Sequence, residues 1–108
     1  MIRRTLGAFV LSTILFAQSY PFPGPANLAP HRAGSYVFLT WINISESNTN
    51  NVYRGSVHGG PYTLIWQSVR LVNHYTDPGC SGTCFYVVTA VNTSGESSYS
   101  NEVSAFVP

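Results

Sequence analysis

The sequence predicts an all-β fold, a sandwich of about seven short antiparallel strands, and three observations carry that prediction. Turn-forming residues recur about every 8–14 positions once the first twenty residues are passed. The runs between them are rich in Val, Ile, Tyr, Phe, Trp and Thr and show no helical period. Charged residues make up only 8% of the 108, so no block of like charge keeps the chain from collapsing into one modest core.

The elements follow in chain order. Ala26-Asn27-Leu28-Ala29 reads as a short edge strand with Leu28 inward, and Pro30 to Ser35 as a turn. Tyr36 to Ile42 is the next strand. Val37, Leu39 and Trp41 sit two apart and share the core face, leaving Tyr36, Phe38 and Ile42 outside. Asn43 to Asn51 is nearly all Asn, Ser, Thr and Glu and reads as a loop. Asn51 to Arg54 is a strand, Gly55 to Pro61 a glycine-rich turn, and Tyr62 to Gln67 a returning strand that Val69 and Leu71 continue irregularly. Asn73 to Asp77 ends at the turn dipeptide Pro78-Gly79. Cys84 to Asn92 is the longest strand, Thr93 to Ser97 a tight polar turn, and Ser98 to Val107 the last strand. Short strands at this spacing mark an immunoglobulin-like β-sandwich.

The first 19 residues differ from the rest. Arg3-Arg4, an apolar run from Leu6 to Ala17, and small residues at Ala17-Gln18-Ser19 follow the order of a secretory signal peptide. The apolar run is well short of the roughly 20 residues a helical span needs, so no stable membrane span is expected after cleavage. Tyr20 to Gly24 is a Pro-rich leader, with the domain proper over 25–108. Beyond the signal, three arginines (Arg32, Arg54, Arg70) against four carboxylates (Glu46, Asp77, Glu96, Glu102) give a net charge of −1. No basic patch tracks a phosphate backbone, which argues against nucleic acid as a partner. Asn43-Ile44-Ser45 and Asn92-Thr93-Ser94 match the short N-glycosylation pattern.

Several pieces, in order, resemble a fibronectin type III domain of the kind common in bacterial secreted proteins. They are Pro25-Ala26-Asn27-Leu28, Val37 to Trp41, Asn51 to Gly55, Gly59 to Thr63 and Tyr75-Thr76-Asp77. Tyr86 to Asn92, Gly95-Glu96-Ser97 and Ser100 to Ala105 complete the set. The resemblance implies a three-plus-four-stranded sandwich with Trp41 in the core, Tyr86, Val88 and Ala90 facing Val52 across it, and Val103 joining them. It implies no reaction. Asn50 stands where relatives often carry a bulky Tyr, which leaves that core layer underfilled. Cys84 stands where they place a corner tyrosine, and Cys80 where an apolar residue packs beneath it. In this comparison a Cys80–Cys84 disulfide replaces the tyrosine corner, with metal-bound or free thiols as the alternatives.

The chemistry within reach is limited. His74, Asp77, Cys80 and Cys84 are the nearest approach to a zinc ligand set, but lack paired Cys-x-x-Cys arms. A Cys–His nucleophile needs a free thiolate. The chain has no lysine for Schiff-base chemistry and no Gly-x-Ser-x-Gly elbow. The four carboxylates sit in or beside turns, and His31 and His58 read as exposed bystanders. Tyr53, Tyr62, Trp66 and Tyr75 form the candidate binding face, of the kind a sugar or peptide would need. The expectation is a secreted, non-catalytic interaction or structural module without cofactor, acting on a protein or polysaccharide partner. A carbohydrate-binding accessory domain and a small metal protein are the alternatives.

Overall fold

The computed structural model describes residues 19–108. The expected signal peptide therefore lies, apart from Ser19, outside the described residues. Eight strands form: β1 (Ala26–Ala33), β2 (Tyr36–Ile42), β3 (Thr49–Gly55), β4 (Thr63–Gln67), β5 (His74–Asp77), β6 (Gly82–Asn92), β7 (Gly95–Glu96) and β8 (Val103–Val107). One sheet has the order β1-β2-β5. The other has β4-β3-β6, with β7 and β8 each paired to β6. Every pairing is antiparallel, and the two sheets form a β-sandwich.

Strand β2 alternates as its sequence requires: Val37, Leu39 and Trp41 are buried, whereas Tyr36, Phe38 and Ile42 are exposed. The other sheet contributes Val52, Tyr86, Val88 and Val107 to the same core, with Cys80, Cys84 and Leu28. Each such aliphatic side chain contributes about 1.5–3 kcal/mol of burial. Val52 does not face Val88 across the core. The two are register partners within one sheet, so they share a face and pack together against the other sheet. The indole Nε1 of Trp41 is buried without a hydrogen-bond partner.

Four elements depart from their expected form. Strand β1 runs on through Pro30 to Ala33, shrinking the turn to Gly34-Ser35 with Gly34 at φ +62°. Proline is tolerated because β1 is an edge strand, where one row of N–H groups serves no ladder. Val69 and Leu71 extend no strand, and Val69 is almost fully exposed. The layer at Asn50 is filled by polar atoms rather than underfilled. Asn50 is fully buried, and its amide exchanges hydrogen bonds with the Asn43 amide (2.8 and 3.3 Å). It also donates to the Thr89 carbonyl at 3.1 Å and accepts from the Val72 N–H at 3.4 Å. A buried amide with its donors and acceptors matched costs little.

The last expected strand, Ser98 to Val107, shortens to β8, and β7 forms inside the expected turn, which gives a three-plus-five arrangement in place of three plus four. Between Ala90 and Val88 the pairing on β6 advances two residues, while the partner segment advances three, from Ser97 to Ser100. Ser97 and Ser100 donate their N–H groups to the Ala90 and Val88 carbonyls (both 2.8 Å). Their hydroxyls accept the return bonds from the Ala90 and Val88 N–H groups at 2.8 and 2.9 Å. Side-chain oxygens thus stand in for carbonyls where the extra residue breaks the ladder.

The Pro-rich leader docks on this irregular segment. Phe22 is buried, its carbonyl accepts from Ser98 N–H at 3.4 Å, and Gly24 N–H donates to Ser98 Oγ at 3.1 Å. Glycine is required there, since a Cβ would lie 2.2 Å from the Ser98 carbonyl oxygen.

Candidate functional site

The outer face of the five-stranded sheet gathers the densest set of functional groups. Alternation along β3 turns Val52 inward and Tyr53 outward beside its register partner Val87. Tyr62 enters just before β4, and Tyr99 projects from the segment between β7 and β8. Tyr99 meets Tyr53 with ring centroids 5.7 Å apart at 69°, and Tyr62 at 5.3 Å and 81°. Both contacts are edge-to-face, the arrangement the ring quadrupoles favour.

Carboxylates anchor the two flanking rings. Tyr53 donates its hydroxyl to Glu96 Oε2, which also accepts from Asn51 Nδ2 at 3.0 Å and Thr89 Oγ1 at 2.6 Å. Tyr62 donates to Glu102 Oε2, which accepts the Gly59 N–H at 2.7 Å. His58 Nδ1 lies 2.5 Å from Glu102 Oε1. Burial, then the neighbouring carboxylate, pushes the hydroxyls of Tyr53 and Tyr62 up to about 12, so both remain protonated donors. Burial works to raise Glu96, but its bonds from Thr89, Tyr53 and Asn51 outweigh it and hold the group below the usual range. Glu102 is lowered chiefly by the Tyr62 hydroxyl. Both carboxylates are thereby charged acceptors near neutral pH.

The four aromatic residues singled out from the sequence do not make one face. Tyr53 and Tyr62 come together through Tyr99. Trp66 and Tyr75 stack on each other instead (4.6 Å, 19°), one on β4 and one on β5. That pair bridges the two sheets and packs against the core. The reason is register: Trp66 pairs with inward-facing Val52, and a shift between Val52 and Tyr53 leaves Ile65 without a partner in the β3–β4 ladder. Tyr99 went unrecognised because a continuous last strand with Val103 inward would also turn Tyr99 inward. The signal against that parity is the serine-rich Ser97-Ser98 and Ser100 around it, poor strand formers. Glu96 and Glu102 are likewise bound rather than solvated, since tyrosines and amides reach them from elements distant in sequence. His58 is exposed as expected, its side chain 85% accessible, with Nδ1 set against Glu102.

The candidate metal ligands are dispersed. His74 and Asp77 are three apart on β5 and therefore project to opposite faces. The His74 ring contacts Phe38 at 6.1 Å, whereas Asp77 is buried on Arg54 and Tyr86. The Cys80 and Cys84 sulfurs lie at bonding distance, 2.10 Å. Among the described residues no three His, Cys, Asp or Glu side chains converge. A shallow open groove lined by Arg54, Ser56, Thr63, Ile65, Ser81 and Cys84 runs beside the sulfurs. Its one cation is already engaged with Asp77.

No protein-family model matches the chain. It is 35% identical over 104 residues to an amylopullulanase of Thermoanaerobacter thermohydrosulfuricus, a match covering 93% of this chain and 7% of that protein. Among solved structures, a β-1,2-glucanase from Parabacteroides distasonis superposes with a TM-score of 0.67 and 29% identity, over 82% of this chain and 13% of that one. An Fn3-like protein from Clostridium thermocellum superposes with a TM-score of 0.72 and 33% identity, over 83% of this chain and 96% of its own. With that match over nearly the whole of a self-contained domain, the chain belongs to the Fn3-like (fibronectin type III-like) family.

Proposed function

We propose that the chain is a secreted, non-catalytic module of fibronectin type III type. The observation that carries the reading is the state of its acidic groups. Asp77, Glu96 and Glu102 each accept bonds from three or more groups within the fold, so these carboxylates hold structure rather than await a substrate proton. The test is turnover. Purified protein incubated with glucans at near-stoichiometric concentration releases no new reducing ends, and their appearance overturns the reading. Export is supported by the small residues before Tyr20 and by sulfurs at bonding distance, since such bridges persist in oxidising compartments. N-terminal sequencing of exported protein should begin at Tyr20. A cytosolic product retaining Met1 would overturn that part.

A second reading, a carbohydrate-binding accessory domain, is favoured by the tyrosine–carboxylate face and by the likeness to part of an amylopullulanase. Pull-down on insoluble polysaccharides tests it, and retention no greater than that of an albumin control ends it.

A further inference from the structure

The geometry points to Tyr99, set between the Glu96 and Glu102 carboxylates, as the binding platform for the pyranose rings of a neutral glucan. The inference rests on the carbohydrate-binding reading and assigns it a site.

Three features of the face converge. Tyr99 is half exposed, at 51%, yet two flanking rings meet it edge-to-face and both are anchored by their hydroxyls. A ring already fixed in place loses little freedom on binding. A pyranose presents a C–H face that packs on an aromatic ring, and a rim of hydroxyls that need acceptors. Glu96 supplies such an acceptor, because its bonds from Asn51, Tyr53 and Thr89 all end on Oε2 and Oε1 retains acceptor capacity.

The charge of the face sets the class of sugar. Two carboxylates border the platform, and among the described residues His58 is the one basic side chain paired with either. Arg54 is committed to Asp77 and Arg32 to the Gly34 carbonyl. A uronate or phosphorylated chain would bring like charge to this face, whereas a neutral glucan would not. The aromatic side chains on the opposite sheet, Tyr36 and Phe38, have no comparable carboxylate beside them among the described contacts.

Affinity electrophoresis of the oxidised full chain tests the site, with soluble starch, linear β-1,2-glucan and polygalacturonate as the three gel additives. Retardation by at least one neutral glucan and none by polygalacturonate is expected. Tyr99→Ala should weaken retardation about tenfold or more, and Tyr99→Phe should stay within about twofold because the ring is kept. An unchanged melting temperature of Tyr99→Ala separates lost contact from lost fold. Glu96→Gln, which keeps the shape and removes the charge, should admit polygalacturonate more readily than wild type does. Neutral-glucan binding unaffected by Tyr99→Ala would overturn the site while sparing the accessory-domain reading. Absence of binding to both neutral glucans would end both, and retardation by polygalacturonate equal to that by glucan would overturn the charge argument.

Discussion

Asp77 and Glu102 are both carboxylates that collect hydrogen bonds from three residues, and they differ in where those partners leave them. Asp77 accepts from Arg54 Nη1 at 2.8 and 2.9 Å, from the Tyr86 hydroxyl at 2.6 Å and from the Gly79 N–H at 2.9 Å. It belongs to the three-stranded sheet, while Arg54 and Tyr86 belong to the five-stranded one. The cluster therefore ties the two layers together, with the Asp77 side chain only 3% exposed. Glu102 instead pins the β3–β4 loop from outside, in contact with solvent. The same donor chemistry serves cohesion where water is excluded and surface shape where it is not. Desolvation decides between the two, because removing one member of a buried set strands the others, while water replaces a lost partner at the surface.

The sharpest way to break that contrast is Asp77→Ala. It leaves the Arg54 guanidinium and the Tyr86 hydroxyl facing a hole, and an unfolding midpoint in urea should report a loss of about 3 kcal/mol. A loss under about 1 kcal/mol would place Asp77 in the same class as an exposed pair. The pH dependence has a definite sign. Burial works to raise Asp77, but bonds from Tyr86, Arg54 and Gly79 hold its folded value below the ordinary 3.8. Its stabilisation is thus fully present above the unfolded value and disappears as pH falls through the folded one. Acid unfolding of wild type should begin below that region, and Asp77→Asn should flatten this limb.

The sulfurs give the next largest effect. Closing the five-residue loop from Cys80 to Cys84 stabilises by about 2 kcal/mol on the chain-entropy view, so the double Cys→Ser variant should lose about that much. Intact mass should rise by two hydrogen atoms on reduction. No change in mass means no bond.

Glu96→Gln is the smallest and sharpens the surface half of the contrast. Gln still accepts from Thr89 and Tyr53, so stability should fall by only about 0.5 kcal/mol. The Tyr53 hydroxyl should meanwhile titrate below about 12, since the negative charge that opposes a tyrosinate beside it is gone while burial and the hydrogen bond persist. Ultraviolet titration in alkali reads this directly.

Much of the fold is legible because alternation is a local signal. Val37, Leu39 and Trp41 declare the core face of β2 by spacing alone, and the family pieces fall in order along the chain. What escaped depends on partners far off in sequence. Asn50 looks like a hole until Asn43, Thr89 and Val72 surround it. Asp77 looks like a turn carboxylate until β3 and β6 bring Arg54 and Tyr86. Of the candidate site, Tyr53 and Tyr62 are legible as outward-facing, half-buried aromatics. Their grouping was not, because one extra residue near Ser98 reverses the parity that would hide Tyr99, and the register shift beside Ile65 sends Trp66 inward.

The serine substitution in the β6 ladder also sets a local clock. The Val88 and Ala90 amide protons end on hydroxyls rather than carbonyls, and each hydroxyl passes its own proton onward, to the Asn101 or Ser98 carbonyl. Both amides should therefore exchange with deuterium as slowly as their neighbours in the central ladder. In Ser97→Ala the Ala90 amide alone should quicken, and in Ser100→Ala the Val88 amide alone. Those two protons become independent gauges of how firmly the arm that carries Tyr99 is held.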